Sequence, residues 1–124
     1  MLRPVLYSKI HMAAVTQANP DYEGSITIDA DLLEATDLRI SDRVLVANCR
    51  NGERFETYIF RGEPGSGAIE VNGAAAHKVE PGDKVIILHF AQMTDDEYRL
   101  HRPKVAMVTE DNKLRELLRY APGP

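Results

Sequence analysis

A serine hydroxyl placed directly after a glycine carbonyl can attack that carbonyl when the turn is held in a strained geometry. Glycine has no Cβ to hinder the approach, and backbone strain at such a junction can be part of the mechanism. In this chain the pair is Gly24-Ser25, within Tyr22-Glu23-Gly24-Ser25. Attack would turn the amide into an ester. Elimination across the Ser25 Cα–Cβ bond would then cut the chain and leave a dehydroalanine, which hydrolyses to a pyruvoyl group. The product is a ketone at a new N-terminus, made from Ser25 alone. The plain alternative is a loop glycine that tolerates positive φ and a serine that satisfies nearby backbone groups.

Other reactive side chains fall into pairs. Lys9 and His11 share one face of a strand about 7 Å apart, either as a solvated face or as a small cationic patch for a carboxylate. Arg54 and Tyr58 share a face of another strand, while Thr57 between them points to the opposite face. The bland reading of that pair is cross-strand packing by the side-chain stems. Asn72-Gly73-Ala74-Ala75-Ala76-His77 has almost no side-chain bulk, so it allows close packing or offers backbone N–H groups to a ligand. Cys49 is the only cysteine; no motif frames it as a nucleophile, and no intrachain disulfide can form. The four histidines lack metal-ligand spacing, so no metal site is expected. Phosphate-binding and nucleophile-elbow glycine motifs are absent.

These residues need elements to hold them. The length of 124 residues suits a single domain over 1–124. A net charge of -4 offers no basic field for nucleic acid or anionic lipid, no apolar run reaches a membrane span, and the N-terminus lacks a secretory h-region. A reducing cytoplasm fits. Along the chain, residues 6–16 read as a strand with Tyr7, Lys9, His11 and Val15 on one face and Ile10, Met12 and Ala14 on the other. Gly24-Ser25 ends a loop that enters a strand at Ile26. Asp29 reads as the N-cap of a helix over 30–36 that buries Leu32 and Leu33. Residues 43–48 read as a strand buried on both faces. Asn51-Gly52 predicts a type I′ hairpin into a return strand over 53–60. Residues 62–67 read as a flexible connection, 68–71 and 84–90 as strands, and Thr94 as the cap of a helix over 95–100. A final strand covers 104–109, and 113–120 reads as a short amphipathic helix or a packed tail. About seven short strands with brief helices argue for an all-β barrel.

Taken together and in order, Lys9-Ile10-His11, Tyr22-Glu23-Gly24-Ser25, Asn51-Gly52-x-Arg54, Thr57-Tyr58 and Asn72 to His77 resemble the aspartate 1-decarboxylase family. The resemblance runs over nearly the whole chain and fades after about residue 113. It implies a double-psi β-barrel and a homotetramer with sites at subunit boundaries. It also implies self-cleavage at Gly24-Ser25 into a β chain, 1–24, and an α chain, 25–124, headed by a covalent pyruvoyl group derived from Ser25. By matched position Ser25 would form the Schiff base and Tyr58 would donate a proton. Thr57 would bind substrate and assist cleavage, with Gly24, Ser25 and Asn72 in the processing centre. Gly73, Ala74 and Ala75 would give backbone contacts, while Lys9, His11, Tyr22 and Arg54 would line the site. A maturation helper protein is a partner that some members use. Met12 departs from the family, whose members commonly carry arginine there, and Cys49-Arg50 is also unusual.

The implied activity is the conversion of L-aspartate to β-alanine and carbon dioxide for pantothenate synthesis. Loss of an α-carboxylate needs an electron sink, which a pyruvoyl imine provides without a bound cofactor. A phenol stays protonated at neutral pH and suits the proton donor. Arg54, capable of a bidentate grip, suits a clamp for the retained side-chain carboxylate. The Thr57 hydroxyl is a plausible donor to the oxyanion formed at Gly24. Two other readings remain: a non-catalytic, unprocessed β-barrel binding module, and a DNA-binding barrel, which the net charge disfavours.

Overall fold

The computed structural model describes residues 1–123. The strands are β1 Arg3–Ala14, β2 Gln17–Asn19, β3 Ser25–Asp29, β4 Arg43–Asn48, β5 Arg54–Gly62, β6 Ile69–Asn72, β7 Lys84–Met93, β8 Lys104–Val108 and β9 Leu114–Arg119. Two short α-helices, α1 Ala30–Thr36 and α2 Asp95–Leu100, and a 3-10 helix, Gly73–Lys78, complete the elements. The strand order is β2-β6-β3-β5-β4-β7-β1-β8-β9. Strand β1 passes through Val15 and Thr16 directly into β2, and the Thr16 N–H donates to the Ile69 carbonyl at 2.8 Å. One stretch of chain therefore carries β1, seventh in the order, across to β2 at its first position and closes the sheet there, with β8 and β9 lying beyond β1. Closure satisfies backbone groups that an open edge would leave bare. The interior is β-branched, with Ile10, Ile26, Ile28, Ile59, Val71 and Ile87 at or near zero exposure. This is the all-β barrel with short flanking helices that the sequence predicts.

Local signals hold at both helices. Asp29 accepts from the Asp31 N–H at 2.9 Å as the N-cap of α1. Thr94 and Glu97 form a reciprocal capping box on α2. The connection over 62–67 is not loose, because Asp29 also accepts from the N–H groups of Gly65 and Gly67 at 3.0 and 2.8 Å. Burial pushes the Asp29 carboxyl upward, but the N–H donors of Gly67, Asp31 and Gly65 more than offset it and hold it below the usual carboxylate range.

Four expectations are corrected. A bulge breaks the register of β1 between Ile10 and Ala13, with Met12 at φ 61°, so the alternation inverts. Val15 consequently joins Ala13 in the core rather than sharing a face with Lys9 and His11. At Asn51-Gly52 only Gly52 has positive φ, so the turn is not type I′; the Gly52 N–H donates back to the Asn48 carbonyl at 2.8 Å. Strand β4 buries Val44, Val46 and Asn48, but Leu45 and Ala47 are only half-buried. Residues 114–119 form neither a helix nor a packed tail. They make the exposed antiparallel strand β9 against β8.

Candidate active site

Three strands converge on Ser25. Antiparallel pairing of β3 with β6 sets Ser25 opposite Asn72, and parallel pairing of β2 with β6 sets Asn19 level with Asn72. The Asn72 Nδ2 donates to the Ser25 Oγ at 3.1 Å and lies 3.3 Å from the Thr27 Oγ1. Asn19 Nδ2 donates to the Asn72 Oδ1 at 3.0 Å. Ser25 is fully buried and Asn72 nearly so, whereas Gly24 and the loop before it are exposed. The peptide bond between Gly24 and Ser25 thus spans an exposed loop end and a buried strand start.

The glycine that this geometry requires is Gly73. It sits at φ +80°, and a Cβ there would fall 2.5 Å from the Gly24 Cα and 2.9 Å from the Gly24 nitrogen. Close packing is therefore the use made of Gly73, and the small residues from it onward wind into the 3-10 helix. Gly24 itself lies outside the left-handed region, and a Cβ on it would meet nothing within 4 Å. Neither Gly24 nor Ser25 has positive φ and the bond between them is not cis; the left-handed position is Gly73, their neighbour in space. Gly24 is exposed and next in sequence, and Ser25 supplies a buried hydroxyl held by one donor. The residues present therefore fit the formation of a pyruvoyl group from Ser25.

Tyr58 and Thr57 lie on the adjoining strand. The parallel ladder of β3 with β5 begins at Ile26 and Ile59, so one step earlier Ser25 and Tyr58 are level on neighbouring strands. Tyr58 is 38% exposed and packs edge-on to Phe60, 5.5 Å between ring centroids. Thr57 is half-buried, on the opposite face as alternation predicts. Arg54 is exposed at the start of β5 on Tyr58's face and makes no ion pair among the described residues. The adjacent Glu56 is taken by Arg43. Tyr22, 68% exposed, joins Asn19, Thr27, Arg61 and Asn72 around an open cavity of about 620 Å³. Ala74 is exposed and Ala75 half-buried.

Lys9 and His11 are on β1, which does not pair with β3, and among the described residues no hydrogen bond or ion pair links them to Ser25. The Lys9 ammonium lies 5.6 Å from the Tyr120 ring centroid. The His11 Nδ1 is buried with no partner among the described residues, and burial first, then the Lys9 charge, holds the imidazole below its ordinary value. Cys49 Sγ and Met12 Sδ are 3.4 Å apart at the β1 bulge. Sequence reasoning missed Asn19, Thr27 and Arg61. Asn19 precedes Pro20-Asp21 and reads as a turn former, and only strand pairing places it beside residue 72.

The family model described as aspartate decarboxylase matches residues 1–115. The chain belongs to the aspartate decarboxylase family. Aspartate 1-decarboxylase of Shouchella clausii (strain KSM-K16) is 50% identical over 123 residues, covering 99% of this chain and 97% of that protein. Aspartate 1-decarboxylase of Caldicellulosiruptor saccharolyticus is 53% identical over 117 residues, 94% of this chain and 91% of the relative. Aspartate 1-decarboxylase of Staphylococcus aureus (strain JH9) is 50% identical over 118 residues, 95% and 93% of the two chains. Membership extends through every residue of the Ser25 centre, so the hydrogen bonds around Ser25 fall within a decarboxylase sequence rather than a barrel that merely shares its shape.

Proposed function

We propose that this chain cuts itself between Gly24 and Ser25 and then removes the α-carboxylate of L-aspartate, releasing carbon dioxide and β-alanine for pantothenate synthesis in the cytoplasm. The observation that carries the reading is the buried Ser25 Oγ, fixed by Asn72 at the junction of an exposed loop and a buried strand. In the first step the Ser25 Oγ bonds to the Gly24 carbonyl carbon, the Gly24–Ser25 C–N bond breaks, and the hydroxyl proton passes to the Ser25 nitrogen. Loss of the Ser25 Cα proton then expels the Cβ oxygen with Gly24 as a carboxylate. Water replaces ammonia to leave the ketone. The Asn72 N–H faces the Ser25 Oγ, the oxygen on which negative charge gathers when elimination expels it with Gly24 as a carboxylate, where a fixed donor has most effect.

When formed, the pyruvoyl group captures the substrate amine and takes up the electrons left by departing carbon dioxide. The chain's own side chains do the rest. Tyr58 holds a proton on its hydroxyl for the former α-carbon. Arg54 grips the retained side-chain carboxylate, with Lys9 as a further cation, and Thr57 contacts substrate and supports cleavage. Gly73, Ala74 and Ala75 offer backbone groups, while Tyr22 and His11 shape the walls. One chain keeps Lys9 and His11 on a different strand region from Ser25, which supports a site completed by another copy in a homotetramer. The fragments are 1–24 and 25–124, with or without a maturation helper. Incubation with aspartate tests this: the parent releases carbon dioxide and Ser25→Ala does not. Equal release by the variant would remove Ser25 from the mechanism.

A further inference from the structure

We propose that Asn19 is a positioning residue for the self-cleavage, setting which end of the Asn72 amide faces Ser25. The inference rests on the reading that the chain cuts itself at Gly24-Ser25. The two ends of an Asn amide have nearly the same shape but opposite hydrogen-bonding character. Only one orientation presents a donor to the Ser25 Oγ. Of the two other polar neighbours of the Asn72 amide, the Thr27 hydroxyl donates or accepts equally well and cannot decide the matter. Asn19 is the remaining neighbour: its Nδ2 lies 3.0 Å from the Asn72 Oδ1 and 3.3 Å from the Gln17 Oε1, so in this arrangement it donates toward both.

The relay is built by register rather than by loop chance. Asn19, Asn72 and Ser25 stand side by side across β2, β6 and β3, where each is a paired position of its ladder. Donation from Asn19 holds the Asn72 oxygen outward and leaves its Nδ2 on the Ser25 Oγ. That donor is in place when the Oγ bonds to the Gly24 carbon and when it later leaves as a carboxylate oxygen. A carboxylate at position 19 has the same size but can only accept. Asn72 would then turn its Nδ2 toward residue 19 and its oxygen toward Ser25, withdrawing the donor.

The test is a cleavage time course on full-length chain made by brief cell-free synthesis, read by intact mass at several pH values between 4.5 and 8. Asn19→Asp should cut about 10- to 100-fold more slowly than the parent at pH 8, a sizeable part of the effect of losing one oxyanion donor. Its rate relative to the parent should recover on acidification, because a protonated carboxyl donates again. Asn19→Ala should be slow without that recovery. Parent-like rates for both variants would overturn the inference, as would a slow Asn19→Asp that ignores pH. A parent that itself stays intact would instead sink the self-cleavage reading, so the two failures are told apart.

Discussion

Replacing Gly73 by alanine places a methyl group where the structure has no room for one. Its carbon would lie 2.5 Å from the Gly24 Cα, against a comfortable separation of about 3.5–4.0 Å, so Gly24 must move by roughly 1 Å. Alanine at φ +80° adds about 1 kcal/mol of left-handed strain, and overpacking costs about 1–3 kcal/mol more. Because Gly24 sits in an exposed loop that can give way, the energetic penalty should fall near the lower end, about 2 kcal/mol. The displacement goes straight into the bond to be cut. A misplacement of about 1 Å at a reacting centre can slow a reaction ~100-fold. Thermal unfolding together with a cleavage time course would measure both effects, with Gly24→Ala as the control for stability alone. That control meets nothing within 4 Å and should keep its stability within about 0.5 kcal/mol of the parent. If Gly73→Ala matches the parent in melting temperature and cleavage rate, the contact between Gly73 and Gly24 does not position the scissile bond.

Three further outcomes follow from the same coordinates. Asn112, buried at φ 62°, donates to the carbonyls of Ala14 and Gly67 and accepts from the Ala14 N–H, each at 2.8 Å. Asn112→Ala should lose about 3 kcal/mol or more in urea unfolding, and a loss under 1 kcal/mol would contradict its bridging role. The hydrogen bond from Arg50 leads the influences that hold the Asp83 carboxyl at about 2, so its stabilisation is complete above the ordinary carboxylate value and is lost as pH falls through about 2. Arg50→Ala raises that value, so the acid-unfolding midpoint followed by circular dichroism should move to higher pH; an unmoved midpoint refutes the pairing. His11 should titrate below its ordinary value in an NMR pH series. Its contribution to stability is complete above the unfolded value and disappears as pH drops through the lower folded one, so titration above the ordinary value would contradict its burial.

The features legible in the sequence were those fixed by neighbours along the chain. Asp29 and Thr94 announced helix starts because a cap bonds only two or three residues ahead. Ser25 read as a strand entry because a turn lies before it and alternating apolar residues follow. What escaped was set by inversion or by distance. The bulge at Met12 reverses the faces beyond it, which no period-two pattern reveals. Leu114, Leu117 and Leu118 satisfy a helical spacing, yet β9 has no buried face to enforce any period, and hydrogen bonding to β8 decides its form. Asn19 and Asn72 are 53 residues apart, and their contact exists only because β2 and β6 pair. The small residues from Gly73 left close packing and backbone exposure both open, and Gly24, which Gly73 packs against, could be found only in space.

The direct test of the central claim is the intact mass of the protein after prolonged incubation at neutral pH. The account predicts two species, residues 1–24 with an ordinary carboxyl end and residues 25–124 lighter by one ammonia than the serine-headed fragment. A single unbroken chain of 124 residues, or a longer fragment that keeps the full mass of its serine form, would contradict it.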